Sequence, residues 1–465
     1  MAVSKSKIPK RNTKNIIVVF ILFCIANYCY YAFSRENAAI ARDTKNYIEP
    51  ARLLVLEGKY ESKYRLPAYP LFLAVFLIFN SNITNPVIFC QVMLLFGCAL
   101  IAKQITEIFI KKNGLFVLVL VAFNPSGILY AHKILPDIMF LFVFLLFVLF
   151  LVRSYHDTSM ICAAITGICA CILALCRGNG VYLIYLMPIM ICLGCRIISK
   201  KIALRQIIRL CSVSFGVAVL GLAPWLIFNW VKHHDLMINS EEYVNYAIHD
   251  NMLRFEYLGK RLSIEEARES VLDKAWKHAG ITESEWQEKT INDNHKLVAT
   301  YAKDILSDYP SKLIIYTVVR AMGYLIFDPG YKNFINHLDI KRLNIDKERI
   351  STKVTMREFF SEVFFSYKLT LKVYSLLLIT FLVLRLLGFV GFVAAVKQKN
   401  WELIMICGGL VLYSILIVGL IGFARYRLPI DPILILWAVY GGQNISQYLR
   451  KKIIVIPPCK TLIKI

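Results

Sequence analysis

Six charged residues in this sequence sit where long apolar runs begin or end: Asp43, Arg65, Asp137, Arg177, Arg425 and Arg427. Any one of them is accounted for by a side chain reaching past a helix end into water. As a set they need a further reason, because charges near a bilayer core are expensive. An aspartate in a wet loop stays ionised near neutral pH and can take a proton from a hydroxyl. Arginine is permanently charged, and its planar fork matches the oxygens of a phosphate. The set therefore combines a base with an anion grip.

Asp43 and Arg65 share one stretch, 35–70, that separates the first long apolar run from the second. The stretch also holds Tyr47, Glu49, Arg52 and the Pro-x-Tyr-Pro unit of Pro67–Pro70. A charged loop directly behind a first span is a place for chemistry at a bilayer surface. The competing reading is a solvated connector whose amphipathic helices lie on headgroups.

The surrounding elements are membrane elements. The chain has 465 residues and is 58% hydrophobic, and its apolar runs reach spanning length. The expected fold class is all-α, a polytopic bundle of about ten transmembrane helices. Spans are expected at 15–33, 87–109, 114–131, 138–152, 158–175, 179–195, 206–230, 370–396, 402–423 and 428–447. The first is read as a retained helix, because bulky residues at Asn27–Tyr31 replace a small-x-small cleavage site. Ala68–Phe79 is too short to cross comfortably and suits a re-entrant or interfacial helix. Leu313–Phe327, interrupted by Arg320, reads as amphipathic and lying at the surface.

A net charge of +23 suggests nucleic acid only until its distribution is read. The basic residues cluster at the ends of apolar runs, as at Lys111 and Lys112, Lys200 and Lys201, or Arg450–Lys452. That is topology signal, so no nucleic-acid partner is expected. The rule that positive loops stay inside puts the N-terminus in the cytoplasm. Alternation then places 34–86, 132–137, 176–179, 231–368 and 424–427 outside, which gathers all six charged residues on the non-cytoplasmic face. Three units follow: 1–230, a membrane module with a catalytic first outer loop (34–86); 231–368, a small helical extracytoplasmic cap; and 369–465, C-terminal spans and a cytoplasmic tail. In the cap, Ser263-Ile-Glu-Glu266 reads as a capping box that opens a helix, and Thr282-x-x-Glu285 opens another.

Absent motifs narrow the function. No Gly-rich phosphate loop, His-Glu-x-x-His, Asp-x-Asp or Gly-x-Ser-x-Gly occurs. The 13 cysteines lie in or beside apolar runs or in the tail, and show no disulfide framework. Cys192 and Cys195 read as apolar fillers inside a span. His233-His234-Asp235 reads as a polar juxtamembrane turn.

These local patterns resemble the GT-C membrane glycosyltransferases, especially the dolichyl-phosphate-mannose protein mannosyltransferases and the bacterial lipid A aminoarabinose transferases. The matching features are an acidic residue shortly before a tyrosine in the first outer loop (Asp43, Tyr47) and Arg65-Leu-Pro-Ala-Tyr69-Pro-Leu71. Others are Asp137 at the outer start of the fourth span, Arg177-Gly178, Pro224-Trp225 through Asn229, and Arg425-Tyr426-Arg427-Leu-Pro429. Two positions depart: Thr44 follows Asp43 where the mannosyltransferases have glutamate, and Phe228 replaces an arginine. The resemblance implies a sugar moved from a polyprenyl-phosphate carrier to an acceptor lipid, glycan or protein, with inversion. It makes Asp43 the base, with Asp137 orienting the acceptor or Asp43, or binding a cation. Arg65, Arg177, Arg425 and Arg427 grip the donor phosphate, and Tyr47, Tyr69, Asn229 and Tyr426 line the substrate site. The lipid tail would lie near Pro67–Phe79, among membrane lipids. No cofactor is required by this reading, and a divalent cation is left open. In a bacterium the location would be the inner membrane, with the site facing outward. A transporter or lipid flippase, or a polymerase or ligase using a lipid diphosphate, also suits the composition. Transport favours ionisable groups at midplane rather than at one interface.

The topology is testable directly. In a background lacking the native cysteines, single cysteines at 43, 137, 177 and 425 should all react with a membrane-impermeant reagent from the non-cytoplasmic side. Labelling of position 425 from the cytoplasm would divide the site between two faces.

Overall fold

The structure, a computed structural model, describes residues 10–34, 38–41, 43–62, 65–111, 113–198, 202–234, 238, 369–418 and 424–454. Within 248–326 it describes chiefly 262–282 and 291–305. The described residues form helices and no strand.

Helix α1 (Lys10–Ala32) leads into the site loop, which contains α2 (Lys45–Glu57) and α3 (Ala68–Phe79). Gly58, at φ +67°, ends α2 in the left-handed conformation that glycine adopts without strain. Pro67 opens α3, a helix of 12 residues, which at about 1.5 Å per residue covers only about 18 Å and does not cross. Then follow α4 (Thr84–Ile110), α5 (Gly114–Ala122), α6 (Pro125–Ala131) and α7 (Asp137–His156). Helices α8 (Met160–Cys176), α9 (Val181–Ile198) and α10 (Leu204–His233) complete the first part.

Helix α7 is the axis. Its spanning stretch is 72% buried, more than any other full-length candidate, as suits a helix apolar on all sides. It packs on α4, α8 and α9. Twenty residues at about 1.5 Å each separate Asp137 from His156 by about 30 Å, one hydrocarbon thickness. Ions therefore collect at its two ends. At the far end Arg153 donates to Gln104 (3.1 Å), while Tyr155 (3.1 Å) and His156 (2.6 Å) share the carboxylate of Glu402.

The 231–368 region contributes α11 (Ile264–Ala279) and α12 (Ile291–Ile305). The Ser263–Glu266 capping box is formed, and Thr282 donates to Glu285. Val271, Ala275, Val298 and Tyr301 make a small core of their own. The Leu313–Phe327 run lies largely outside the described residues, as does Asp235 of the His-His-Asp turn. The C-terminal part holds α13 (Leu369–Lys397) and α14, which runs from Trp401–Leu403 through a π-helical turn at Ile404–Gly408 to Gly409–Val418. A short α15 (Ala424–Arg427), a 3₁₀ turn and α16 (Asp431–Ile454) follow.

Each expected span falls on a helix, but fewer than ten are long and apolar enough to cross. Six qualify among the described residues, and α5 with α6 adds a seventh, bent by 51°. The bend lies at Asn124-Pro125, where proline cannot continue the hydrogen-bond ladder. Helix α8 and the Trp401–Ile417 segment are shorter, and α16 turns polar at Gln443, Asn444 and Arg450.

Helices α13 and α16 touch backbone to backbone. A Cβ added at Gly391 would collide with the Trp437 carbonyl oxygen, and one at Gly441 with that of Leu387. Small residues permit such approach in membranes. Gly391→Ala or Gly441→Ala should destabilise the protein by about 1–3 kcal/mol, the usual range for overpacking. Gly442→Ala, with open space around it, should not. Thermal unfolding in detergent separates these cases, and equal melting temperatures for all three would remove the contact.

Candidate active site

The site begins with a buried carboxylate. Asp137 opens α7 directly after Pro136, and its side chain is 1% exposed. Taking such a group out of water costs several kcal/mol unless it is paired. Two guanidinium groups pair with it. Arg177 leaves the end of α8 in an extended conformation and donates to Oδ1. Arg425, on α15, donates from Nε to Oδ1 (3.0 Å) and from Nη2 to Oδ2 (3.0 Å). The remaining Nη1 of Arg425 donates to Asp43 Oδ2 (3.1 Å), and Asp43 Oδ1 lies 3.3 Å from Arg65 Nη2. Three guanidinium groups and two carboxylates thus form one chain of charge, 3 − 2 = +1.

The two carboxylates differ in access. The Asp43 side chain is 35% exposed against 1% for Asp137. Asp137 is an internal anchor, whereas Asp43 presents its carboxylate to whatever enters.

Neighbouring contacts fix this accessible end. Ile134 donates to the Ala39 carbonyl (3.0 Å). The Thr44 hydroxyl donates to the Ile134 carbonyl (3.1 Å) and accepts from the Ala41 amide. These bonds staple the segment carrying Asp43 to the loop that carries Asp137. The Arg65 amide donates to Ser62 Oγ, and its carbonyl accepts from the Tyr60 phenol (2.7 Å). Tyr60 in turn lies edge-on to Trp225 and Phe228 of α10, and its carbonyl accepts from Lys232. Phe228, the position that departs from the family pattern, thereby supports the Arg65 loop through its ring.

Aromatic rings form the floor. Arg65 lies 4.6 Å above the Tyr47 ring, which meets Tyr69 edge-on at 5.3 Å. Burial pushes the Tyr47 phenol up to about 12, against the opposing pull of Arg65, Arg177 and Arg425. It is therefore a neutral hydroxyl at any physiological pH. Arg177 stacks over Tyr426 (5.7 Å). Tyr69 is fully buried and donates to Gln91 (2.9 Å), whose amide nitrogen donates to the carbonyls of Ala131 (3.0 Å) and Lys133 (2.7 Å).

Comparison with known proteins was made on this fold. No protein-family model matches the chain, and no curated protein matches it in sequence. Among solved structures, the archaeal oligosaccharyltransferase AglB from Archaeoglobus fulgidus, in complex with an inhibitory peptide and a dolichol-phosphate, superposes with a TM-score of 0.51. The identity is 12%, over 96% of this chain and 52% of that one, so the chain spans about half of the length of that enzyme. The fold is of the GT-C type. ArnT from Cupriavidus metallidurans aligns over 95% of this chain and 81% of its own. Its apo form gives 12% identity and a TM-score of 0.39, and its undecaprenyl phosphate complex 13% and 0.38.

Within this GT-C fold, Asp43, Arg65, Asp137, Arg177 and Arg425 come together as expected from their sidedness, with Tyr47 and Tyr426 against them. Tyr69 lies one ring further in, and Asn229 is buried on α10. Arg427 lies apart from this cluster. It points to a second cluster, where its Nε and Arg385 Nη2 both donate to Asp431 Oδ1 (2.8 Å each). Residues two apart on a helix point about 200° apart, so Arg425 and Arg427 cannot serve one group. Four supports escaped the sequence reading. Gln91, a lone amide in an apolar run, carries a signal; Thr44, Tyr60 and Lys133 gave none beyond their position.

Both carboxylates are engaged by guanidinium groups, and no group of three His, Cys, Asp or Glu side chains gathers among the described residues.

The two aspartates should separate in stability. Asp137→Leu strands two guanidinium groups and should cost about 3–5 kcal/mol, the penalty for breaking a buried pair. Asp43→Asn, at the accessible end, should cost about 1 kcal/mol or less. Unfolding curves showing equal losses would remove Asp137 from its anchoring role.

Proposed function

We propose that this chain is a membrane glycosyltransferase that moves a sugar from a polyprenyl-phosphate carrier to an acceptor hydroxyl at the non-cytoplasmic face. The observation that carries this reading is the accessible Asp43 carboxylate set among guanidinium groups with a net positive charge. The GT-C fold supports it, as does the dolichol-phosphate held in the complex of the archaeal oligosaccharyltransferase.

Each residue has work in that reaction. Asp43 accepts the proton of the acceptor hydroxyl as its oxygen attacks the anomeric carbon. Attack opposite the phosphate inverts that carbon. The leaving phosphate gains negative charge in the transition state, where Arg65, Arg177 and Arg425 favour it over the ground state. Arg65 has a donor to spare: its Nε is buried and has no acceptor. Asp137 holds Arg177 and Arg425 in position, and Tyr47 offers a neutral hydroxyl. The energy resides in the phosphate ester, which agrees with the missing nucleotide motifs.

The test uses purified protein, a panel of polyprenyl-phosphate sugars, and mass spectrometry of the released lipid. Asp43→Asn should lower turnover by about 10²–10⁴-fold with donor still bound. Glu49→Gln, exposed on the other side of α2, should leave it near wild type. Arg65→Ala or Arg177→Ala should lose about 2–4 kcal/mol of transition-state stabilisation, with only partial rescue by lysine. Transfer abolished by Glu49→Gln and retained by Asp43→Asn would reassign the base.

A further inference from the structure

The loop entering α7 carries one more cation. Lys133 lies four residues before Asp137. Gln91 holds its carbonyl (2.7 Å), and the next residue, Ile134, is bonded to Ala39 and Thr44. The contacts that place the Asp43 segment thus also fix the backbone of Lys133. Its half-buried ammonium lies 5.9 Å from the centre of the Tyr130 ring. Arg65, Arg177 and Arg425 each pair with a carboxylate, but none pairs with Lys133 among the described residues. Burial, with Arg425 beside it, holds the Lys133 pKa below the ordinary lysine value, and Asp137 opposes. A sheltered ammonium without a counter-ion gains most when an anion arrives.

The charge of the reaction identifies that anion. In transfer, the acceptor oxygen bonds to the anomeric carbon, and the bond from that carbon to the phosphate oxygen breaks. The electron pair stays on the phosphate, and the acceptor proton goes to Asp43. The donor is a phosphodiester with one negative charge. The released lipid is a monoester, with a charge of about −1.5 to −2 near neutral pH. The paired cluster, at +1, balances the donor. Once Asp43 has returned its proton to water, it falls short of the product by about half to one charge.

We propose that Lys133 binds the phosphate of the departing polyprenyl monophosphate, supplying the positive charge that the carboxylate-paired arginines lack. This rests on the transferase reading, and it makes the pocket selective for a monoester over a diester.

The probes are undecaprenyl monophosphate and its methyl diester, bound to the full-length protein in detergent and quantified by native mass spectrometry. The wild type should prefer the monoester. Lys133→Gln should weaken the monoester by about tenfold or more, the worth of a hydrogen bond to a charged group. It should change the diester by about twofold or less, as expected where charge is already balanced. Lys133→Arg should restore the preference, and unchanged melting temperatures show that both variants are folded. Equal weakening of both lipids, or of neither, would overturn the assignment of Lys133. If the wild type binds neither lipid, the transferase reading itself fails and takes this inference with it.

Discussion

The Asp137 carboxylate, closed between Arg177 and Arg425, sets the geometry around it. The partners lie 40 and 288 residues along the chain, so one side chain ties together the start of α7, the end of α8 and the approach to α16. A carboxylate shielded from water holds its partners firmly, because no alternative partner is at hand. Arg425 then has one nitrogen left, and it is aimed at Asp43. The accessible carboxylate is thereby held by a group whose own direction is fixed in the interior. A loop residue gains the definition of a core residue.

The same device recurs twice nearby. Arg385 and Arg427 close on Asp431, and at the far end of α7 Tyr155 and His156 close on Glu402. The long apolar axis is therefore fastened by ions at both ends, while its middle is held by packing alone, with Phe140, Phe144 and Phe147 buried along one flank. The ends have specific partners and the middle does not.

Much of this is legible in the sequence. Alternation of the apolar runs assigns the charges at their ends to two faces, and that groups Asp43, Arg65, Asp137, Arg177 and Arg425, which the structure brings together. Sidedness carries no information about direction around a helix, so it groups Arg427 with Arg425 although Arg427 turns to Asp431. Hydropathy locates the helices of every expected span. By length and composition alone fewer of them qualify to cross, because a bend interrupts α5–α6 and α8 is short, yet α8 returns from the His156 end of α7 to Asp137. The Ser263 capping box is readable because its bonds are local. The hold of Tyr60 on Arg65 is not, since its packing partners lie in α10, far along the chain.

The glycine contact between α13 and α16 has a bearing on how a long lipid could reach such a site. Two helices pressed together at their main chains form a welded seam, too tight for an isoprenoid tail to part. Elsewhere α3 turns Leu71, Val75, Ile78 and Phe79 outward, all at least half exposed, and α3 is too short to cross a bilayer. One seam of the bundle is thus closed by main-chain contact, whereas the apolar side chains of α3 lie open beside the loop that carries Arg65.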